Sequence, residues 1–168
     1  MRNCPVPIIA AVNGAAYGGG CETAMNADFA YASKTARFAL PEVSLGIMPG
    51  AMGTQNMPQA VGERRAKEII LTGKPFSAEE AYQWGLVNKV CEPESLMDDT
   101  IETARLIAQN APQSIMRAKR SISVSTQVDR ATGYQFELEA YNRLVGTEDR
   151  HEGVLAFNEK RKPNFTGT

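Results

Sequence analysis

The sequence is poor in the residues that most often hold metals or form disulfides. It contains one histidine, His151, and three cysteines, Cys4, Cys21 and Cys91, in 168 residues. The cysteines are far apart and odd in number, and no Cys-x-x-Cys pair or Cys/His ligand spacing occurs. These counts argue against a zinc site, a disulfide framework and a histidine-based catalytic triad. We therefore predict that the protein has no metal, keeps its thiols reduced and is cytoplasmic.

An excess of charge of one sign and long apolar runs are also lacking. There are 18 Lys and Arg against 19 Asp and Glu, and the two signs are mixed along the chain. Neither a nucleic-acid surface nor a polybasic membrane anchor is predicted from this balance. No stretch approaches the roughly 18 uninterrupted apolar residues of a membrane helix, and the first residues lack the layout of a signal peptide. The apolar share of 43% instead indicates a globular domain.

Apolar runs and helix-capping patterns indicate a strand-bearing first part and a helical second part. Buried strands are predicted at 7–13, 29–32 and 37–40, and a helix at 21–27. A capping box of Ser77 and Glu80 opens a short helix that ends at Gly85, and Pro112 suits the first turn of another. The remaining helices are predicted at about 63–71, 96–110, 112–123, 131–145 and 149–160. With no internal repeat or linker, this order favours an α/β or α+β fold.

Two glycine-bearing turns stand beside glutamates in the first part. Gly18, Gly19 and Gly20 precede Cys21-Glu22, and Glu42 leads to the turn at 49–53. Neither turn has the spacing of a dinucleotide fingerprint or a P-loop. A free backbone N–H at such a helix start could face a carbonyl oxygen that becomes anionic. The alternative is that the glycines only let a strand turn tightly into a helix.

The two glutamates themselves are candidate proton-transfer groups. Glu22 lies among small and apolar neighbours, and Glu42 follows Leu40-Pro41. Carboxyl groups in apolar surroundings are costly unless they are paired, hydrogen-bonded or protonated, and working acids and bases occur in such places. The alternative is that Glu22 interacts with its own helix dipole and Glu42 is exposed at a strand end.

Four longer motifs occur along the chain. They are Ile-Ala-Ala-Val-Asn-Gly-Ala-Ala-Tyr-Gly-Gly-Gly-Cys-Glu at 9–22, Phe-Ala-Leu-Pro-Glu at 38–42, Leu-Gly-Ile-Met-Pro-Gly-Ala-Met-Gly-Thr-Gln at 45–55 and Trp-Gly-Leu-Val-Asn-Lys-Val at 84–90. Together they resemble the crotonase, or enoyl-CoA hydratase/isomerase, superfamily. The resemblance extends over essentially the whole chain. It implies the carboxy-terminal part of a crotonase-like ββα superhelix core in residues 1–92. A helical region for trimerisation and coenzyme A contact would follow in 93–168.

The resemblance also implies an activity, the hydration of 2-enoyl-CoA thioesters, and the residues that perform it. Gly19 would supply a backbone N–H to the thioester oxygen. Glu22 would activate the water, and Glu42 would protonate the α-carbon. Gly50 would line the same pocket. No cofactor is needed beyond the coenzyme A that carries the substrate.

Two further residues, Tyr141 and Lys160, would contact coenzyme A from a neighbouring subunit, as the resemblance implies. The expected assembly is a homotrimer or a dimer of trimers, a hexamer. For Lys160, a solvated helix end is the alternative interpretation.

Other activities remain open from the sequence. Relatives include double-bond isomerases and enzymes of the carnitinyl-CoA dehydratase type. A non-catalytic fragment is another possibility, since relatives carry a segment before the first strand that contains the second oxyanion N–H. On that interpretation the chain expressed by itself would be insoluble or inactive.

The chain also departs from the pattern that hydratases of this superfamily commonly have, Gly-Gly-Thr-Gln-Arg, at residues 52–56. It reads Met52-Gly53-Thr54-Gln55-Asn56 there. Met52 is expected to alter the shape of the pocket. Asn56 is expected to affect a surface or subunit contact more than the chemistry.

Overall fold

The computed structural model describes residues 1 and 3–168, and the chain divides into two compact units. The first unit comprises Met1–Cys4 and Ile8–Glu102, and the second comprises Pro5–Pro7 and Thr103–Thr168. Apart from the short segment Pro5–Pro7, the division falls inside the helix Leu96–Ala108.

The first unit contains two small sheets of three strands each. Strands β1 (Ile9–Val12), β3 (Phe29–Ser33) and β6 (Lys89–Cys91) form one parallel sheet in the order β1-β3-β6. Strands β2 (Ala15–Tyr17), β4 (Arg37–Ala39) and β5 (Phe76–Ser77) form the other, in the order β2-β4-β5. In the second sheet β2 and β4 are parallel, whereas β4 and β5 are antiparallel.

The first four strands therefore alternate between the sheets, and a helix or 3₁₀ turn follows each pair. The helices of this unit are α1 (Gly19–Asn26), α2 (Gly53–Val61), α3 (Glu63–Thr72) and α4 (Ala78–Gln83), with a 3₁₀ turn at Glu42–Leu45. The pair β1–β2 leads to α1, and β3–β4 leads to the 3₁₀ turn and α2. Equivalent strands of the two pairs lie side by side in parallel. This is the ββα arrangement that the resemblance implies.

The core of the first unit is rich in alanine. Its buried members include Ala30 and Ala32 of β3 and Ala78 and Ala81 of α4, together with larger residues such as Phe38. Small side chains allow strands and helices to approach closely, because less volume separates their backbones.

The second unit is helical. It contains the end of α5 (Leu96–Ala108) and all of α6 (Pro112–Ser125), α7 (Arg130–Val145) and α8 (Glu148–Asn158). The end of the chain folds back onto α8, where the buried Asp149 carboxylate accepts hydrogen bonds from the Thr166 and Gly167 N–H groups at 2.7 and 2.9 Å. In the described part of the chain, no helix combines the length and the apolar character needed to span a bilayer.

The longer predicted elements are confirmed, and several short ones were not predicted. The Ser77–Glu80 capping box is present, and Pro112 occupies the first turn of α6. Strands β2, β5 and β6 and helix α2 lie where only turns or no element had been predicted. The strands have two or three residues each, too few to show a period.

Candidate active site

The pairing of β2 with β4 brings Glu22 and Glu42 to the same region. Two adjacent parallel strands end at one edge of their sheet, and the chain after each strand continues from that edge. Helix α1, which carries Glu22, follows β2, and the 3₁₀ turn that begins with Glu42 follows β4. The Gly18 N–H extends the ladder by donating to the Ala39 carbonyl at 2.9 Å. The fold thus places both glutamates beyond the same strand ends.

Glu22 is buried and held by the backbone of the following glycine turn. Its side chain is 3% exposed, and its Oε1 accepts hydrogen bonds from the N–H groups of Ala51 and Gly53, both at 2.7 Å. Backbone donors stabilise a carboxylate and fix the direction in which it points. A side chain at Gly53 would be obstructed, because an added Cβ would lie 2.8 Å from Glu22 Oε1 and 2.8 Å from Pro49 Cβ. Glycine is therefore required for this close contact.

Glu42 is also buried, but its surroundings differ. Its Oε2 has no hydrogen-bond partner among the described residues, although the side chain is only 9% exposed. Its Oε1 approaches Gly18, where an added Cβ would lie 3.1 Å away. Gly18 has φ +52°, a conformation that L side chains rarely adopt, and its carbonyl accepts the Glu22 N–H at 3.0 Å. Gly18 is consequently a backbone neighbour of both glutamates.

The thiol of Cys21 is buried near the two glutamates. Burial, as the largest cause, and the charges of Glu42 and Glu22 together raise its pKa to about 12. The Cys21 side chain is fully buried. A thiol in such a site stays neutral near pH 7 and is not a nucleophile.

The other two predicted residues of this unit border the same region. Gly19 is the exposed first residue of α1, where a helical N–H has no acceptor within its own helix. Gly50 is exposed and immediately precedes Ala51, one of the donors to Glu22. Both positions are exposed, and their predicted roles stay predictions.

Tyr141 and Lys160 lie in the second unit. Tyr141 is 61% exposed and lines a groove of about 920 Å³ between α6 and α7. Lys160 follows α8, is exposed and has a left-handed backbone with φ +55°. The adjacent Arg161 is bound by the Glu152 and Glu159 carboxylates at 2.6 Å each. The predicted contacts of Tyr141 and Lys160 with coenzyme A stay predictions.

Sequence reasoning missed the Ala51 and Gly53 donors and two asparagines beside them. The Asn26 side-chain amide donates to the Ala51 carbonyl at 3.1 Å, and the Asn56 amide donates to Asn26 Oδ1 at 2.8 Å. Gly53 was the only local sequence feature that indicated these contacts, because a glycine just inside a helix allows another group to approach the backbone closely. Within the described residues, no three His, Cys, Asp or Glu side chains form a group able to hold a metal.

Comparison with known proteins identifies the family. The sequence profile of the enoyl-CoA hydratase/isomerase family matches residues 1–168. The chain is 48% identical over 156 residues to the short-chain-enoyl-CoA hydratase of Clostridium acetobutylicum, covering 93% of this chain and 60% of that protein. It is 45% identical over 159 residues to the mitochondrial enoyl-CoA hydratase of Pongo abelii, covering 95% of this chain and 55% of that protein.

Solved structures agree with the sequence relatives. The crystal structure of enoyl-CoA hydratase from Bacillus anthracis superposes with a TM-score of 0.98 at 46% identity, over 99% of this chain and 65% of that one. The chain therefore belongs to the enoyl-CoA hydratase/isomerase family and has the crotonase-type α/β fold, as predicted. It spans less than two thirds of the length of these relatives, from 55% to 65%.

Proposed function

We propose that the protein hydrates 2-enoyl-CoA thioesters, with Glu22 and Glu42 dividing the proton transfers. The observation that carries the proposal is the pair of buried glutamates near Gly18, whose carbonyl accepts the Glu22 N–H and which Glu42 Oε1 approaches. Their surroundings differ: Glu22 Oε1 accepts two backbone N–H groups, whereas Glu42 Oε2 has no partner among the described residues. Unequal environments allow one carboxyl group to accept a proton while the other donates one.

In the proposed reaction, Glu22 accepts a proton from water while the water oxygen forms a bond to the β-carbon. The electron pair of the carbon–carbon double bond moves toward the thioester carbonyl, whose oxygen becomes negatively charged. Glu42 then delivers a proton to the α-carbon, and the charge returns from the oxygen. Glu22 gains one proton and Glu42 loses one, so the substrate gains the elements of one water. Glu22 then releases a proton to solvent and Glu42 takes one up, which restores the starting state of both.

The Gly19 N–H would stabilise the charge on the thioester oxygen. This group is at the first position of α1, where both the unpaired N–H and the helix dipole favour a negative ligand. One such donor contributes on the order of 10²–10³ in rate. Gly50 would border the water site, since it precedes Ala51 in the turn that binds Glu22.

The remaining expectations concern the substrate carrier and the assembly. Tyr141 and Lys160 are proposed to contact coenzyme A from a neighbouring subunit, and the assembly is proposed to be a homotrimer or a hexamer. The exposed Lys160 supports this role, because its neighbour Arg161 is already engaged by two carboxylates. A cytoplasmic location and a role in fatty acid β-oxidation belong to the same proposal.

The test is the hydration of crotonyl-CoA by the intact protein and by single Glu→Gln variants. Glu22→Gln and Glu42→Gln each remove one proton-transfer group and preserve shape, so kcat should fall by about 10²–10⁴-fold. Glu79→Gln is the matched control, because Glu79 is exposed on α4. Full activity in Glu22→Gln would refute the two-carboxylate mechanism.

A 3-enoyl-CoA substrate separates hydration from isomerisation. A hydratase converts crotonyl-CoA directly, whereas an isomerase moves the double bond of the 3-enoyl compound without adding water. Conversion of the 3-enoyl substrate without any hydration of crotonyl-CoA would show that the protein is an isomerase and not a hydratase. No turnover of either substrate by the intact protein would refute both.

A further inference from the structure

A chain of hydrogen bonds leads from Asn56 in α2 to Glu22 in α1. Asn56 Nδ2 donates to Asn26 Oδ1 at 2.8 Å, and Asn26 Nδ2 donates to the Ala51 carbonyl at 3.1 Å. The N–H of the same residue, Ala51, donates to Glu22 Oε1 at 2.7 Å. Both polar groups of Ala51 are therefore bound by side chains of one helix.

The spacing of the two side chains on α1 makes this possible. Glu22 and Asn26 are four residues apart, so they lie on the same face of α1, one turn from each other. Glu22 binds the N–H end of Ala51, and Asn26 binds its carbonyl end. An asparagine is suited to the second position, because its amide can donate to a carbonyl while its oxygen accepts from Asn56.

The turn that contains Ala51 is packed only in part. Pro49 is buried, but the other large apolar side chains are largely exposed: Ile47 by 62%, Met48 by 69% and Met52 by 51%. Hydrogen bonds from α1 are consequently an important constraint on the position of Ala51. Because the Ala51 N–H binds Glu22, the direction of the Glu22 carboxylate depends on the same constraint.

We propose that Asn26 and Asn56 are positioning residues that orient the Glu22 carboxylate through the Ala51 peptide group. The role for Asn56 differs from the surface or subunit contact that the sequence suggested. The proposal rests on the proposed function in so far as Glu22 is the base. The structural part of the proposal is that the two asparagines hold Ala51 against Glu22. This part can be tested by a measurement that does not depend on enzymatic activity.

Asn→Asp substitutions test whether the two side-chain amides hold the Ala51 peptide group. Asn26→Asp preserves shape but removes the donor and places a carboxylate against the Ala51 carbonyl. Asn56→Asp removes the donor that sets the orientation of the Asn26 amide. Asn110→Asp is the matched control, because the Asn110 amide donates to the Leu106 carbonyl, also at 3.1 Å.

The first measurement is hydrogen exchange of the Ala51 amide in the intact protein. Both Asp variants should accelerate it by about 3- to 10-fold, the equivalent of one weakened hydrogen bond. The Asn110→Asp protein should leave it unchanged. Unchanged exchange in Asn26→Asp would overturn the proposal, whether or not the protein hydrates crotonyl-CoA.

The second measurement is steady-state kinetics with crotonyl-CoA. A misdirected base should lower kcat by about 10- to 100-fold with little change in KM. In a Glu22→Gln background, Asn26→Asp should have no further effect on kcat, because the base it orients has been removed. A full additional loss in that background would overturn the positioning role. If the wild-type protein shows no hydration, the proposed function fails, and the exchange measurement alone decides the positioning.

Discussion

The close contact at Gly53 provides a quantitative test of the site. Gly53→Ala adds a Cβ that would lie 2.8 Å from Glu22 Oε1, 2.8 Å from Pro49 Cβ and 3.1 Å from Glu22 Cγ. Contacts below 3.0 Å cannot persist, so either the carboxylate or the proline must move. The proline ring is rigid and Pro49 is buried, which leaves it little freedom. The Glu22 carboxylate is expected to move, at the cost of its two backbone hydrogen bonds.

The expected cost follows from this geometry. Forcing an extra carbon into a packed site costs about 1–3 kcal/mol. In a helix interior, alanine is more favourable than glycine by about 1 kcal/mol. Because Gly53 is only the first residue of α2, a part of this gain offsets the cost of the added carbon. The free energy of unfolding should therefore fall by about 1–2 kcal/mol. Activity should fall further, by about 10²-fold, because the displaced group is the proposed base.

Denaturant unfolding and crotonyl-CoA hydration are the two assays. Gly14→Ala is the matched control in the same unit, because an added Cβ there meets nothing within 4 Å and its φ is not positive. That variant should be neutral or more stable by about 0.4–1 kcal/mol. A double-mutant cycle with Glu22→Ala should show coupling of about 1 kcal/mol, since removing Glu22 relieves one of the two short contacts.

Two results would refute this reasoning. One is an unfolding midpoint for Gly53→Ala that equals that of Gly14→Ala, because the added carbon would then have free space. The other is strict additivity in the cycle with Glu22→Ala, because the strain would then lie against Pro49 alone.

Three further variants test other features. Met52 has φ +77°, so Met52→Gly should be about 1 kcal/mol more stable than Met52→Ala by denaturant unfolding, the reverse of the usual order of the two residues. Because the pKa of Cys21 is raised from 9.0 to about 12, the native state favours the neutral thiol, and stability should decrease as the pH rises from 9 towards 12. Cys21→Ala should lessen that decrease in alkaline unfolding titrations. The hydrogen bond from Arg161 lowers the pKa of Glu152 from 4.5 to about 2, so its stabilising effect should be lost as the pH falls through that window. Glu152→Gln should flatten this part of an acid unfolding curve.

Each of these three predictions has an outcome that would contradict it. A Met52→Ala protein more stable than Met52→Gly would show that the left-handed backbone is not maintained. An alkaline titration of Cys21→Ala identical to wild type would show that this thiol ionises equally in both states. A Glu152→Gln protein with an unchanged acid limb would show that the pairing with Arg161 does not persist in solution.

Local sequence patterns were sufficient for most of the helices, although the nine-residue α2 was not predicted. The Ser77–Glu80 capping box and Pro112 at the start of α6 were predicted because their interactions lie within one helical turn. Strand β5 was missed because only distant pairing creates it: Phe76 lies opposite Phe38 in β4. A two-residue strand has no pattern that sequence analysis could detect.

The sequence by itself determined the family, the longer helices and Glu22 and Glu42 as candidate acids. It left open whether the glycines and glutamates form a site, because each motif had a purely structural alternative. Tertiary structure decided where these residues lie, and the site that they form stays a proposal. The parallel pairing of β2 with β4 brings the glutamates together, and residues 29 and 31 positions beyond Glu22 supply its donors. Such contacts depend on the tertiary fold, which brings residues 51 and 53 next to Glu22. Local periodicity and composition do not encode that proximity.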